Sequence, residues 1–310
     1  MRLNGSGPLN RFPLTLLLVL ATVVWGWTFS LVKDAISAYA VVGFLAIRFV
    51  IGSAALGIVA GRRLTARTLG VGMGIGVVLA AAYLLQTFGL RYTTATNCGL
   101  ITGLFAVFGV LANRILFGVR IVPVFWTAAG LSLVGLSLLA GAGPSPPTLG
   151  DLLTVGAAAG FGLQIALLDR FAPHHDPLAL TFAQIAAATL VLLLIWPLSE
   201  TAVWPSGNVW LALAVTGILA TAVNFSIQVL AQQQLPAVRA AIILTLEPVF
   251  ATFFGYLLAG DRLTGLQFTG AVLMFAAVGV IEIFSAERKT ALVQASAAPA
   301  ALEETQPKSG

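Results

Sequence analysis

The chain is a succession of apolar runs, each long enough to cross a lipid bilayer, with only short polar, Pro- or Gly-containing breaks between them. The runs fall at about 13–32, 40–60, 69–90, 95–114, 121–141, 149–168, 177–197, 208–229, 236–258 and 264–284. At 1.5 Å per residue, about 20 helical residues span the hydrocarbon core. Inside that core every backbone N–H and C=O must be paired within the element, which leaves the α-helix as the solution for consecutive apolar runs. The expected fold is therefore an all-α polytopic membrane protein with ten transmembrane helices. Composition closes the other routes: 59% of the 310 residues are hydrophobic and 9% are charged, against about 25% charged in soluble domains. A water-soluble globule, a disordered chain and a nucleic-acid binder are all excluded as readings.

The remaining charge is unevenly spread. With a cytoplasmic N-terminus, Arg2, Arg11, Arg62, Arg63, Arg67, Arg114, Arg120, Arg170, Arg288 and Lys289 collect on one side, whereas Lys33, Arg91 and Arg262 fall on the other. This follows the positive-inside rule and orients both termini to the cytoplasm, so the net charge of +5 reads as an insertion signal. The first run is too long for a secretory h-region and lacks a cleavage site, so it is kept as a span behind a cytoplasmic segment, 1–12. The stretch 285–310 is rich in Ala, Pro, Glu, Gln and Ser and is expected to be a disordered cytoplasmic tail. Cys98 is the sole cysteine, so no intramolecular disulfide forms.

A second order is superimposed on the runs. Phe108, Gly118 and Arg120 align with Phe250, Gly260 and Arg262 at one constant spacing, and Asp34 matches Asp169 after a small shift. Two copies of five helices each, 13–141 and 149–284, follow from this alignment. Because five is odd, the second copy enters the membrane from the opposite side, which puts a substrate path between the halves near the midplane. Glycines add close helix contacts: Gly70, Gly72, Gly74 and Gly76 in the third run, Gly99 with Gly103, and Gly156 with Gly160.

Polar groups inside spans are costly unless paired or hydrated. Tyr83 and Gln86 share a face, Asn97 opens the fourth run with Thr102 further in, and Gln164, Gln184, Asn224 and Gln228 follow in the second half. Each reads either as an interhelical hydrogen bond or as part of a hydrated pocket. Trp25 and Trp27, past the middle of the first span, could wall such a pocket, whereas Trp196, Trp204 and Trp210 suit an interfacial aromatic belt. Glu247, mid-span before a helix-disturbing Pro248, is a candidate proton carrier or amine contact, or a bridging structural carboxyl. Pro248 is expected to free the Leu244 carbonyl and kink the span. Arg239 either shares the face of Glu247 or snorkels to the edge. Arg48 suits a substrate carboxylate or a pair with Asp34. His174 and His175 lack metal-ligand spacing, and no HExxH, Walker A or GxSxG run occurs. Neither an enzyme, a metal nor a cofactor is expected.

Trp25-Gly26-Trp27-Thr28-Phe29, and Glu247-Pro248-Val249-Phe250-Ala251 followed by Gly260-Asp261-Arg262-Leu263-Thr264, resemble elements of EamA repeats. The chain thereby resembles the drug/metabolite transporter superfamily, with ten helices in two inverted five-helix repeats. It departs in having Asp261 where Glu is usual, and Phe105-Ala106 in the first half where the second has Glu247-Pro248. The overall pattern is most similar to the bacterial YddG amino-acid exporters. That resemblance implies a monomeric, multi-pass protein of the bacterial inner membrane, exporting aromatic and other neutral amino acids by alternating access. The expected cavity residues are Trp25, Trp27, Tyr83, Gln86, Asn97, Gln164, Asn224, Gln228 and Glu247. The alternative is a multidrug or quaternary-cation exporter of the same superfamily, for which Glu247 and Glu282 are the available acids. A non-transporting membrane protein would have no use for hydrated amides at mid-depth.

Overall fold

A computed structural model describes residues 12–120, 123–140, 148–201, 203–235, 237–259, 264–280 and 283–284. The N-terminal segment, the C-terminal tail, the Gly260–Leu263 part of the second EamA-like element and Glu282 lie outside the described residues. Every regular element among the described residues is helical: α1 (Phe12–Ala38), α2 (Val41–Ala60), α3 (Ala66–Tyr92), α4 (Ala95–Thr102), α5 (Phe105–Phe117), α6 (Pro123–Ala140), α7 (Leu149–Phe171), α8 (Pro177–Ser199), α9 (Gly207–Val215), α10 (Asn224–Gln234), α11 (Ala237–Leu244) and α12 (Glu247–Ala259), then α13 (Gly265–Val280). Eight spans are long and apolar enough to cross a membrane, and two shorter apolar helices, Pro123–Leu138 and Gly265–Val280, lie at the fifth and tenth runs.

Helix starts carry side-chain caps that satisfy the first free N–H groups. Thr65, Thr94 and Asp176 accept from Thr68, Asn97 and Ala179, and Thr148 with Asp151 forms a capping box on α7. For α2 the acceptor comes from elsewhere in the chain: the Glu200 carboxylate takes the N–H groups of Val42 and Gly43, at 3.3 and 3.0 Å. Gly118, at φ +64°, ends α5 in the left-handed conformation that glycine tolerates without a side-chain clash.

Two spans depart from continuous helix. The fourth run is interrupted between α4 and α5, and the ninth between α11 and α12. The irregularity expected at Pro248 is a turn at Thr245 and Leu246: Thr245 N–H is shared between Ala241 and Ile242, and Leu246 N–H bonds to Ile243 in a tighter pattern. Pro248 falls in the first turn of α12, where its missing donor costs nothing. The broken spans meet each other, α4 packing on α12 and α5 on α11. A Cβ on Gly103 would come within 2.6 Å of Pro248 Cγ, so the two breaks lie side by side.

Elsewhere α3 packs on α7 and α8, α2 on α8, α1 on α12 and α5 on α7. The glycine row of α3 splits by phase. Gly72 and Gly76 press against Ala183, Gln184 and Ala187 of α8, whereas Gly70 and Gly74 face open space. Trp204 and Trp210 lie together, ring centroids 5.2 Å apart. Trp196 instead reaches inward over Gly43, where a Cβ would stand 2.8 Å from its indole nitrogen.

Candidate functional site

Between these helices lies a cavity. Its walls alternate aromatic and polar. Trp25, Phe29, Phe105, Phe161 and Phe225 supply rings, and Arg48, Tyr83, Gln86, Thr102, Gln164, Gln228 and Glu247 supply polar groups. Val32 and Leu90 carry the wall toward the end of the bundle where α1 and α3 finish.

Each polar side chain is held by a specific local cause. The span α9–α10 passes through a π-helical segment, Thr216–Val223. That irregularity turns Thr221 Oγ1 toward α2, where it accepts from Arg48 Nε at 2.9 Å. It also presents the Ala220 carbonyl to α1, where Trp25 Nε1 donates at 2.9 Å. Such π segments cluster at functional sites because they re-aim groups that a regular helix would bury in its own ladder. Arg48 Nη2 donates to the Tyr83 hydroxyl at 3.2 Å, and its guanidinium carbon stands 4.7 Å from the Tyr83 ring centroid. Tyr83 in turn is boxed by Phe49 and Phe161, each 5.1 Å away edge-on. Gln86 donates to Thr102.

Three amides run in series, Gln164 and Gln228 in the cavity lining and Gln184 outside it. Gln228 Nε2 donates to Gln164 Oε1 at 3.4 Å and Gln164 Nε2 to Gln184 Oε1 at 3.2 Å. The series ends with Gln228 Oε1 and Gln184 Nε2 both buried and unpartnered among the described residues. Glu247, the first residue of α12, is 8% exposed and forms no ion pair among the described residues.

Both ends of the bundle are latched. Where α1 finishes, Lys33 Nζ donates to the carbonyls of Leu90 and Thr93 at 2.6 and 2.7 Å, and Thr93 Oγ1 donates to Asp151 at 2.7 Å. At the other end Arg239 donates to Thr15. Asp169 there receives the amides of Asn113 and Gln232 at 2.9 and 2.7 Å. Arg239 is therefore buried, 9% exposed, rather than snorkelled.

Of the expected cavity residues, the structure brings Trp25, Tyr83, Gln86, Gln164, Gln228 and Glu247 into one wall. The other three do not reach it. Trp27 is half-buried and points away, since two residues along a helix turn a side chain by about 200°. Asn97 lies exposed in the first turn of α4. Asn224 is buried but gives its amide to the Ala21 carbonyl at 2.9 Å. Arg48 does not pair with Asp34; it enters the wall instead. Phe29, Phe105, Phe161 and Phe225 also line the cavity; nothing in their local sequence distinguishes them from lipid-facing phenylalanines. No group of three or more His, Cys, Asp or Glu able to hold a metal occurs among the described residues.

The wall positions recur in pairs. Trp25 and Phe161, Thr28 and Gln164, and Phe29 and Ile165 stand at one constant spacing in sequence; Tyr83 and Phe225, Gln86 and Gln228, Thr102 and Leu244, and Phe105 and Glu247 stand at a second.

The EamA-like transporter family model matches this chain twice, over residues 13–141 and 148–283. An uncharacterized transporter of Archaeoglobus fulgidus is 30% identical over 280 residues, covering 90% of this chain and 89% of that one. The threonine/homoserine exporter RhtA of Salmonella typhimurium is 27% identical over 172 residues, 54% of this chain and 57% of its own length. The same exporter in Escherichia coli is 27% identical over 162 residues. A solved crystal structure has the same fold, with a TM-score of 0.73 at 21% identity, covering 90% of this chain and 99% of that chain.

Proposed function

The chain belongs to the EamA-like transporter family, and from that premise we propose that it exports neutral amino acids, aromatic ones included, by alternating access through the central cavity. The observation that carries this reading is the wall itself, in which Arg48, Glu247 and a series of amides face a box of aromatic rings. An α-amino acid presents both charges on a small polar head and an apolar or hydroxylated side chain, and such a cavity offers a counterpart for each part. The threonine/homoserine exporters among the relatives lend support from sequence.

The architecture belonging to this proposal is ten helices in two inverted five-helix halves, with both termini in the cytoplasm of a bacterium. Its support is the pairing of wall positions, the twin breaks at Gly103 and Thr245, and the packing of α1 on α12 as α5 packs on α7. An odd number of helices per half makes the second half cross in the opposite sense. Alternating access then exchanges the latch at Lys33 for the latch at Asp169. Reporters fused to each terminus check the topology; an extracellular terminus overturns it.

The decisive assay is counterflow in proteoliposomes with labelled threonine, methionine, phenylalanine and tryptophan, with and without a pH gradient. Uptake of at least one supports the proposal. Immobility of all four while cationic dyes move overturns it in favour of a cation exporter.

A further inference from the structure

We infer that Arg48 and Glu247 take opposite ends of one zwitterion, the guanidinium holding the α-carboxylate and Glu247, with the free acceptor of Gln228, holding the α-ammonium. The inference rests on the amino-acid reading above and adds a rule to it: a solute must carry both groups to be moved.

Arg48 is 3% exposed and Glu247 8%, and both border the same cavity. The sole ion pair among the described residues, Arg63 with Asp176, lies at the surface. Arg48 is solvated by two neutral hydroxyls, Thr221 and Tyr83, which orient its fork without neutralising it. A buried charge held this way lacks its counter-ion, and a planar guanidinium fits a carboxylate in bidentate fashion. Glu247 is the complementary case: a carboxyl at the head of α12 with no ion-pair partner among the described residues. The Gln228 amide adds an acceptor, Oε1, that is fully buried and receives no hydrogen bond among the described residues. Ammonium is a three-donor group and uses acceptors of this kind.

The two charges come from opposite halves. The position that pairs with Arg48 across the chain holds Gln184, and the one that pairs with Glu247 holds Phe105. A zwitterion therefore touches one charge from each half, so its binding favours the arrangement in which both halves close on it. A pure cation meets Arg48 unshielded, and a pure anion meets Glu247, so each is rejected by a like charge.

The test is competition in counterflow of labelled L-phenylalanine and L-threonine by matched analogues. Phenethylamine and 1-aminopropan-2-ol lack the carboxylate; 3-phenylpropionate and 3-hydroxybutyrate lack the ammonium. In the wild type each analogue is expected to compete about 10-fold or more weakly than its parent, the equivalent of one lost charge-assisted hydrogen bond. Arg48→Gln is expected to abolish the penalty on the amines, and Glu247→Gln the penalty on the acids, each leaving the other penalty in place. Analogues that compete as well as their parents in the wild type overturn the assignment, as does a folded variant that keeps both penalties. Where a variant fails to fold, the wild-type series decides alone. Failure of every amino acid to move would overturn the functional reading itself, an outcome distinct from transport without the penalties.

Discussion

Trp25 of α1 is tied to Ala220 of the π-helical segment by an indole N–H to carbonyl hydrogen bond of 2.9 Å. The bond joins the first span to the eighth beside the cavity, and the Trp25 ring meets Phe225 edge-on at 5.4 Å. Trp25→Phe keeps most of the ring and leaves a carbonyl without its partner. Loss of about 1–3 kcal/mol is expected, read as a lower unfolding temperature in detergent. An unchanged midpoint would mean that the π-helical segment re-pairs that carbonyl on its own.

The glycines of α3 provide an internal control. Gly72→Ala and Gly76→Ala drive a methyl group into α8 at Ala183 and at the Gln184 carbonyl, and are expected to destabilise the protein and reduce its yield. Gly70→Ala and Gly74→Ala face open space and gain helix propensity, up to about 1 kcal/mol. Four thermal melts decide this; a common sign for all four substitutions contradicts the packing described.

Asp169 gathers Asn113 from α5 and Gln232 from α10 at the end of the bundle opposite Lys33. Asp169→Leu strands the Asn113 amide, at about 1–3 kcal/mol for a group left unpaired, and leaves the Gln232 amide only its bond to the Ile165 carbonyl. A double-mutant cycle of Asp169→Leu with Gln232→Leu should show coupling of about 0.5–3 kcal/mol. Strict additivity in thermal or denaturant unfolding would mean that the two side chains act independently.

His175, in the connection between α7 and α8, shares a hydrogen bond of 2.9 Å through Nδ1 with Thr68 Oγ1. Burial, and then the charges of Arg67 and His174, hold its imidazole below the usual histidine range. The folded state thus favours the neutral ring. Its contribution to stability is present above the ordinary histidine value and is lost as pH falls from there through the lowered one. Melting temperatures from pH 7 down to pH 5 should fall more steeply for the wild type than for His175→Gln, and parallel curves would count against this.

Element by element, the spans were legible because hydrophobic run length maps directly onto bilayer thickness. The amide and tyrosine positions were legible because a polar group in lipid needs a reason to be there. Helix phase was not: Trp25 and Trp27 are equivalent in composition, and only packing against the π-helical segment selects the former. Asn224 and Gln228 share a face one turn apart, yet the first is consumed by the Ala21 carbonyl. Arg48 was read two ways, toward a substrate carboxylate or a pair with Asp34; the partners that hold it, Tyr83 and Thr221, come from α3 and from the second half. The breaks at Gly103 and Thr245 lack a common local signal, since Pro248 marks one of them alone.

The paired wall separates outline from chemistry. Wall residues of the two halves stand at constant spacings in sequence, so on the proposed reading the moving parts can be common to both halves. The residues at those positions mostly differ, and at Arg48 against Gln184 and Phe105 against Glu247 the difference is one of charge. On the proposed function, those two positions are where a redesign of the cargo should begin.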